Sequence, residues 1–156
     1  MPDLALISDF LAQPRLAFAG ASRDSTQFAN SVYRELRSHG HTMLPVHPSA
    51  ASVEGDAAVA SASDVALRVD GIVVMLPPAA ALRVVREAVD AGVPRVWLHK
   101  GVGTSAVSAE AVQYCRDHAV EVVDGACPLM FLEPVARVHR FHRGVRRLRG
   151  AFRDAA

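Results

Sequence analysis

The segment "AFAGASRDSTQF", residues 17–28, carries the residue types of a phosphate-binding turn. An apolar stretch ends at Gly20, and a polar segment leads from it into a predicted helix. Unpaired backbone N–H groups and the helix dipole attract anions to the first turn of a helix. Ser22 adds a hydroxyl donor and Arg23 a fixed positive charge. The turn therefore predicts a phosphate site. In the alternative interpretation Gly20 only permits a tight turn, and Ser22 or Asp24 caps the helix.

The end of the second predicted strand discriminates between phosphate compounds. An NAD site usually combines GxGxxG with an acidic residue about 20 residues later, which binds the ribose hydroxyls. Here the glycine pattern stops at Gly20, and the strand "HTMLPVHP" ends with Val46, His47 and Pro48. The next carboxylate along the chain is Glu54. These two absences disfavour NAD, and a P-loop is excluded because GxxxxGK[ST] does not occur.

Other residues have types that could do chemistry, but none has the required neighbours. Cys127 precedes a proline suited to the first position of a helix, where a thiol can have a lowered pKa. No histidine or second cysteine is local to it, so a small cysteine at a strand end is favoured. His139 and His142 are three residues apart but lack a third metal ligand. His99 follows a strand, yet no Ser/His/Asp or Cys/His set can be assembled. We therefore predict no catalytic residues and no metal site.

The polar segments lie between alternating strands and helices. Strands are predicted at "RLAFAG", "HTMLPVHP", "GIVVML", "RVWLHKG" and "VEVVDG". Helices are predicted at "QFANSVYRELRSHG", "PPAAALRVVREAVDAG" and "SAVSAEAVQYCRDHA", after a short amphipathic opening. This order predicts an α/β, Rossmann-like, doubly wound sheet of about five mainly parallel strands. The segment "GDAAVASASDVALRVD" permits either a short strand or a helical connection.

The overall composition predicts one domain in a reducing cytoplasm. The chain has 156 residues, of which 51% are hydrophobic, which suffices for one substantial core. The 17 basic and 16 acidic residues nearly balance, so bulk charge does not favour nucleic acid. The N-terminus carries acids where a secretory signal would be basic, and no apolar run is long enough for a transmembrane segment. Cys115 and Cys127 show no ligand or disulfide spacing.

The C-terminal region has a charge of its own. Residues 137–156 contain seven arginines and one acid. Apolar residues recur there at helical spacing, at Val138, Phe141, Val145, Leu148 and Phe152. We expect a domain over residues 1–134 and a basic amphipathic helix over 135–156, packed on the domain or on a second subunit. Alternatively, this helix could engage an acidic partner, an anionic membrane surface, RNA or the phosphates of the ligand.

Five segments, in the same order, resemble the CoA-binding domain family, whose fold is similar to the N-terminal domain of the succinyl-CoA synthetase α subunit. They are "GASR", "HTMLPVHP", "GIVVML" followed by "PP", "VWLHKG" and "VVDGACPLMFLEP", within roughly residues 10–134. The resemblance implies a domain that holds the ADP part of coenzyme A, or of an acyl-CoA. The implied cofactor-binding residues are Gly20, Ala21, Ser22 and Arg23 at the phosphates, Val46, His47 and Pro48 around the nucleotide, and Leu76, Pro77 and Pro78 along the pantetheine path.

Two departures from the family pattern affect the expected site. Family members commonly have glutamine where this chain has His99, and the synthetase has a basic residue beyond the second strand where this chain has "SAAS". Arg23 is then the expected cation for the 3′-phosphate. The phosphorylated histidine of the synthetase belongs to a second domain, so the resemblance does not imply ligase activity.

We predict a cytoplasmic protein that binds CoA, and its function is expected to be binding rather than catalysis. A homodimer is a possible assembly. Two alternatives stay open. One is an enzyme that acts on acyl-CoA thioesters through His99 or Cys127, and Cys127 could also form a mixed disulfide with the CoA thiol. The other is a non-catalytic interaction module that uses the basic C-terminal helix.

Overall fold

A computed structural model describes residues 3–133 of the chain. Its strands are β1 (Arg15–Ala19), β2 (Thr42–Val46), β3 (Ser52–Val53), β4 (Asp56–Ala57), β5 (Gly71–Val74), β6 (Arg95–His99) and β7 (Glu121–Ala126). Five of them form one parallel sheet in the order β2-β1-β5-β6-β7, and β3 and β4 form a small antiparallel hairpin. The predicted α/β fold with about five mainly parallel strands is confirmed.

The described residues form four α-helices, the first of which precedes β1: α1 (Leu4–Ala12), α2 (Phe28–Ser38), α3 (Pro78–Asp90) and α4 (Ala109–Asp117). The side chains of Asp3 and Ser108 accept backbone N–H bonds at the starts of α1 and α4, and proline occupies the start of α3. The segment between residues 55 and 70, which the sequence left open, contains both β4 and a short 3-10 turn, Ala62–Val65. The short strand and the helical connection that the sequence permitted therefore both occur, one after the other.

The alternation of side chains along each strand divides the core between the two faces of the sheet. Apolar residues on one face pack with α3 and α4, as Ile72 does, whereas Val73 and Trp97 lie on the face covered by α1 and α2. Phe10 contacts Trp97 edge to face, and Phe18 contacts Tyr33 in the same way. The continuous apolar run of β5 follows from this arrangement, because a strand covered on both faces buries every side chain.

The order of the strands creates a switch point between β1 and β5. After β1 the chain passes through α2 on one face to reach β2 at the edge of the sheet. After β5 it passes through α3 on the opposite face to reach β6. The connections diverge at the carboxyl ends of β1 and β5, which is where open parallel sheets bind ligands.

The predicted C-terminal helix over 135–156 and the domain boundary at 134 lie outside the described residues, as do His139 and His142. Among residues 3–133, no helix is both long and apolar enough to cross a membrane.

Gly20 lies where the carboxyl ends of β1 and β5 approach each other closely. Its φ is +123°, a backbone region that residues with a Cβ rarely adopt. A Cβ added at Gly20 would lie 2.3 Å from the carbonyl oxygen of Met75. Next to it, the backbone N–H of Met75 donates to the carbonyl of Ala19 over 2.8 Å. Only glycine allows the two strands to remain this close at their carboxyl ends.

Replacing Gly20 with alanine is expected to lower the free energy of unfolding by about 3 kcal/mol or more, because the substitution adds a collision with the backbone to conformational strain. Gly92→Ala is the matched control. Gly92 has a φ of +89°, but nothing lies within 4 Å of its added Cβ, so this substitution carries the strain alone. Urea unfolding of both variants measures the difference, and equal losses would contradict the assigned role of the contact.

Candidate functional site

A cavity of about 290 Å³ lies at the switch point. Its residues come from the carboxyl ends of β1, β2 and β5, from the segment before the 3-10 turn, and from α3. They are Ala19, Gly20, Ala21, Ser22, Val46, His47, Pro48, Ala60, Leu76, Ala80, Arg83, Val84 and Glu87. The parallel register brings the ends of the three strands to one edge of the sheet, although these ends are far apart in the sequence.

The structure brings seven of the ten predicted site residues to this cavity: Gly20, Ala21, Ser22, Val46, His47, Pro48 and Leu76. Arg23, Pro77 and Pro78 are not among its lining residues. The two prolines are exposed beside Leu76, where they form the start of α3. Arg23 is exposed too, and it makes no hydrogen bond or ion pair with any residue in the described part of the chain.

The turn after β1 does not lead directly into a helix, and this corrects the sequence interpretation. Helix α2 begins at Phe28 with Gln27 at its N-cap, so neither Ser22 nor Asp24 caps it. The Ser22 hydroxyl instead accepts the backbone N–H of Asp24. The Asp24 carboxylate accepts three hydrogen bonds from Thr26 and Gln27, which lower its pKa to about 2. Short polar side chains stabilise an eight-residue loop, and the helix predicted at "QFANSVYRELRSHG" begins after it.

Asn30, in the first turn of α2, hydrogen-bonds to the backbone of this loop. Its side chain is fully buried. Its Oδ1 accepts the backbone N–H of Ser22 over 2.8 Å, and its Nδ2 donates to the Ser22 carbonyl over 2.7 Å. The same Nδ2 donates to Glu54, which also forms an ion pair with Arg34 at 2.9 Å. These two contacts hold the pKa of Glu54 below its usual value. The Asn30 amide thus hydrogen-bonds to the loop backbone as a neighbouring strand would. Through Glu54, it also connects the loop to the β3–β4 hairpin.

His47, directly after β2, is one of the residues that line the cavity. Its Nδ1 accepts the backbone N–H groups of Ser49 and Ala50, over 3.1 and 2.9 Å. A ring nitrogen that accepts two N–H groups carries no proton, so the proton lies on Nε2. An NAD site has an acceptor carboxylate at this position, whereas this chain has an N–H donor.

Two charged residues of α3 that the sequence analysis did not single out also line the cavity. Arg83 donates to Glu87 over 2.9 Å. The other oxygen of Glu87 accepts the Ser61 hydroxyl and the backbone N–H of Ala62, over 3.0 and 3.3 Å. In the sequence the two residues look like an ordinary solvent-exposed pair four apart on a helix. Only the packing of α3 beside the strand ends places them at the cavity.

His99 and Cys127 also lie at the carboxyl end of the sheet, but they do not line the cavity. His99 is 2% exposed, and its Nε2 has no hydrogen-bond partner among the described residues. Burial lowers its pKa to about 4. The helix predicted after Cys127 is a three-residue 3-10 turn, Pro128–Met130, too short for a substantial dipole. Within residues 3–133, no cluster of three His, Cys, Asp or Glu side chains could hold a metal ion.

Removing the Asn30 side chain is expected to loosen the turn and destabilise the fold. In Asn30→Ala the backbone groups of Ser22 lose a buried partner, so we expect a loss of about 2–4 kcal/mol in the free energy of unfolding. In Asn30→Asp a second carboxylate would face Glu54, and the added loss should diminish as pH falls and carboxylates become protonated. Gln113→Ala, an exposed amide on α4, is the control. An Asn30→Ala variant with the wild-type unfolding midpoint would contradict this role.

Burial of neutral His99 predicts a loss of stability in mild acid. The unfolded imidazole has a pKa near 6.5 and the folded one about 4, so the unfolded state binds more protons between these values. Stability should therefore decrease as pH falls from about 6.5 to 4. Thermal unfolding of the wild type and His99→Gln from pH 8 to pH 4 measures this contribution, because the two proteins differ only at position 99. Parallel profiles would show that His99 is not responsible.

Comparison with known proteins identifies the family. Residues 15–133 match the family model described as a CoA binding domain. A conserved hypothetical protein from Pyrococcus furiosus is 33% identical, over 72% of this chain and 94% of its own, with a TM-score of 0.66. A protein from Thermus thermophilus is 27% identical, over 89% of this chain and 94% of its own, with a TM-score of 0.67.

A third similar structure belongs to a much longer protein. It is an acetyl-coenzyme A synthetase from Ca. Korarchaeum cryptofilum in complex with phosphate and ADP. It is 25% identical over 77% of this chain but only 27% of the synthetase, with a TM-score of 0.65. The match of the family model to residues 15–133 assigns the chain to a family: it belongs to the CoA-binding domain family.

Proposed function

We propose that this protein binds coenzyme A or an acyl-CoA, with the ADP part of the ligand in the cavity at the switch point. One observation carries the proposal. The cavity joins the turn Gly20–Ser22 to a β2 end that bears His47, a donor, in place of the acidic residue of an NAD site. The family of the chain agrees with this choice of ligand.

The expected arrangement of the ligand follows from the three strand ends. The diphosphate lies against the turn Gly20–Ser22, and the ribose lies beside His47. The pantetheine arm leaves past Leu76 and the exposed Pro77 and Pro78. A carboxylate at the end of β2 would repel the 3′-phosphate that distinguishes CoA from other adenine nucleotides, whereas the Nε2–H of His47 can donate to it.

The one carboxylate among the cavity-lining residues does not oppose this arrangement. Both oxygens of Glu87 are occupied, one by Arg83 and the other by Ser61 and Ala62. The neighbouring guanidinium balances its charge. The nearest acid after β2 in sequence, Glu54, is likewise held by Asn30 and Arg34. Neither carboxylate is placed like the ribose-binding acid of an NAD site.

One observation favours an enzyme acting on acyl-CoA thioesters as a second candidate. His99 has an unpartnered Nε2 at the edge of the sheet along which the pantetheine arm would run. Steady turnover of acetyl-CoA by the wild type, lost in His99→Gln, would support this candidate. We propose a cytoplasmic location for either function, because neither of the two described cysteines forms a disulfide, as is usual in a reducing compartment.

Calorimetry with CoA, dephospho-CoA, NAD and ATP tests the proposed function. We expect CoA to bind more tightly than NAD. His47→Asp, which restores the acid of an NAD site, should weaken CoA by about tenfold or more and dephospho-CoA much less, because only CoA carries the 3′-phosphate. His47→Gln is the control, since it removes the imidazole without adding charge. Absence of CoA binding at millimolar concentration, or tighter binding of NAD, would overturn the proposal.

A further inference from the structure

We infer that Arg83 binds the ribose 3′-phosphate of the ligand and that Glu87 positions it. This inference rests on the proposed function and assigns a specificity-determining residue to the same cavity. Arg83 is the only arginine or lysine among the residues that line the cavity in the described part of the chain.

Other sources of positive charge lie elsewhere. The segment after β2, Ser49–Ser52, has the sequence "SAAS" and contains no cation. Arg23, the cation expected from the sequence, is exposed and does not line the cavity. A phosphomonoester dianion in this cavity would therefore meet one fixed cation, and it would come from α3 rather than from the strand end.

A continuous set of hydrogen bonds connects Arg83 to the end of β2. The backbone N–H of His47 donates to the carbonyl of Val59 over 2.9 Å, which fixes the segment that follows Val59 beside the strand end. Ser61 and Ala62 in that segment donate to Glu87, and Glu87 accepts from Arg83 one helical turn away. Glu87 thus fixes the guanidinium against the wall that faces the proposed ribose position.

The guanidinium retains donors for a ligand. Only its Nη1 is used, in the bond to Glu87, and within the described residues Nε and Nη2 have no partner. The side chain is 64% exposed, so an incoming anion can reach it. A guanidinium offers paired N–H groups that match the geometry of a phosphate, and such charge-assisted bonds are about twice as strong as neutral ones.

Binding of CoA and dephospho-CoA by Arg83→Gln tests the inference, because the two ligands differ only in the 3′-phosphate. We expect Arg83→Gln to weaken CoA by about tenfold or more and to change dephospho-CoA by less than about twofold. Arg86→Gln is the matched control. Arg86 lies on the same helix, but its guanidinium stacks over Tyr114 and is not part of the cavity, so both affinities should stay unchanged.

Three further variants separate positioning from direct contact and from global stability. Glu87→Gln keeps the length of the side chain, and its one carbonyl oxygen can still accept from Ser61 and Ala62. Its NH2 group cannot accept from Arg83, so the ratio of the CoA affinity to the dephospho-CoA affinity should decrease while the unfolding midpoint changes little. Arg83→Lys should retain part of the ratio. Arg23→Gln should leave the ratio of the two affinities unchanged, because Arg23 does not line the cavity.

The failures are distinguishable. If the wild type binds neither ligand, the proposed function fails and the inference fails with it. If the wild type binds CoA but Arg83→Gln weakens both ligands equally, or if Arg23→Gln alone abolishes the discrimination, the assignment of Arg83 is wrong and the proposed function stands.

Discussion

The backbone contact between Gly20 and Met75 is the constraint on which the site depends. At this point the ends of β1 and β5 approach so closely that no side chain fits between them. The two strands feed helices on opposite faces, so their closeness creates a narrow switch point whose opening is the cavity. The same contact fixes where the turn after β1 begins, at the carboxyl end of the sheet beside the cavity.

Rigidity of that turn comes from side chains rather than from a helix end. Asn30 pairs with both backbone groups of Ser22, and Asp24 accepts bonds from Thr26 and Gln27 at the end of the loop. Glu54 extends this arrangement to the hairpin, where the positive φ values of Glu54 and Gly55 form the tight connection between its two strands. A ligand that binds the turn would therefore meet a surface whose conformation is already fixed, which lowers the entropy cost of binding.

The charges around the cavity are arranged so that each acid already has a donor. Glu87 is paired with Arg83, and the donors His47 and Arg83 both line the cavity. This pattern favours an anionic ligand at the ribose end, although the chain as a whole is close to neutral. Family membership accounts for the domain itself. The similar region of the acetyl-coenzyme A synthetase is part of a longer chain, so the fold alone carries no information about the reaction that follows binding.

The fold and much of the site could be predicted because they depend on local patterns. Apolar runs identify buried strands, and glycine and proline mark the turns. The strict alternation of strands and helices implies parallel pairing, which brings the residues after Gly20, Val46 and Val74 to one edge. The absence of an acid after β2 can be observed in the sequence alone, and it discriminates between ligands without any knowledge of contacts.

The tertiary structure decided which segments that are distant in the sequence come into contact. One sequence interpretation made Ser22 or Asp24 the cap of the following helix, because the sequence could not show that Asn30 is buried beneath the loop and forms its anchor. It favoured Arg23 as the cation because Arg23 is adjacent to the turn along the chain. Arg83 is more than 60 residues away, and only the packing of α3 against the strand ends places it at the cavity. Spacing along the chain determines which elements form, whereas the packing between elements determines which side chains meet a ligand.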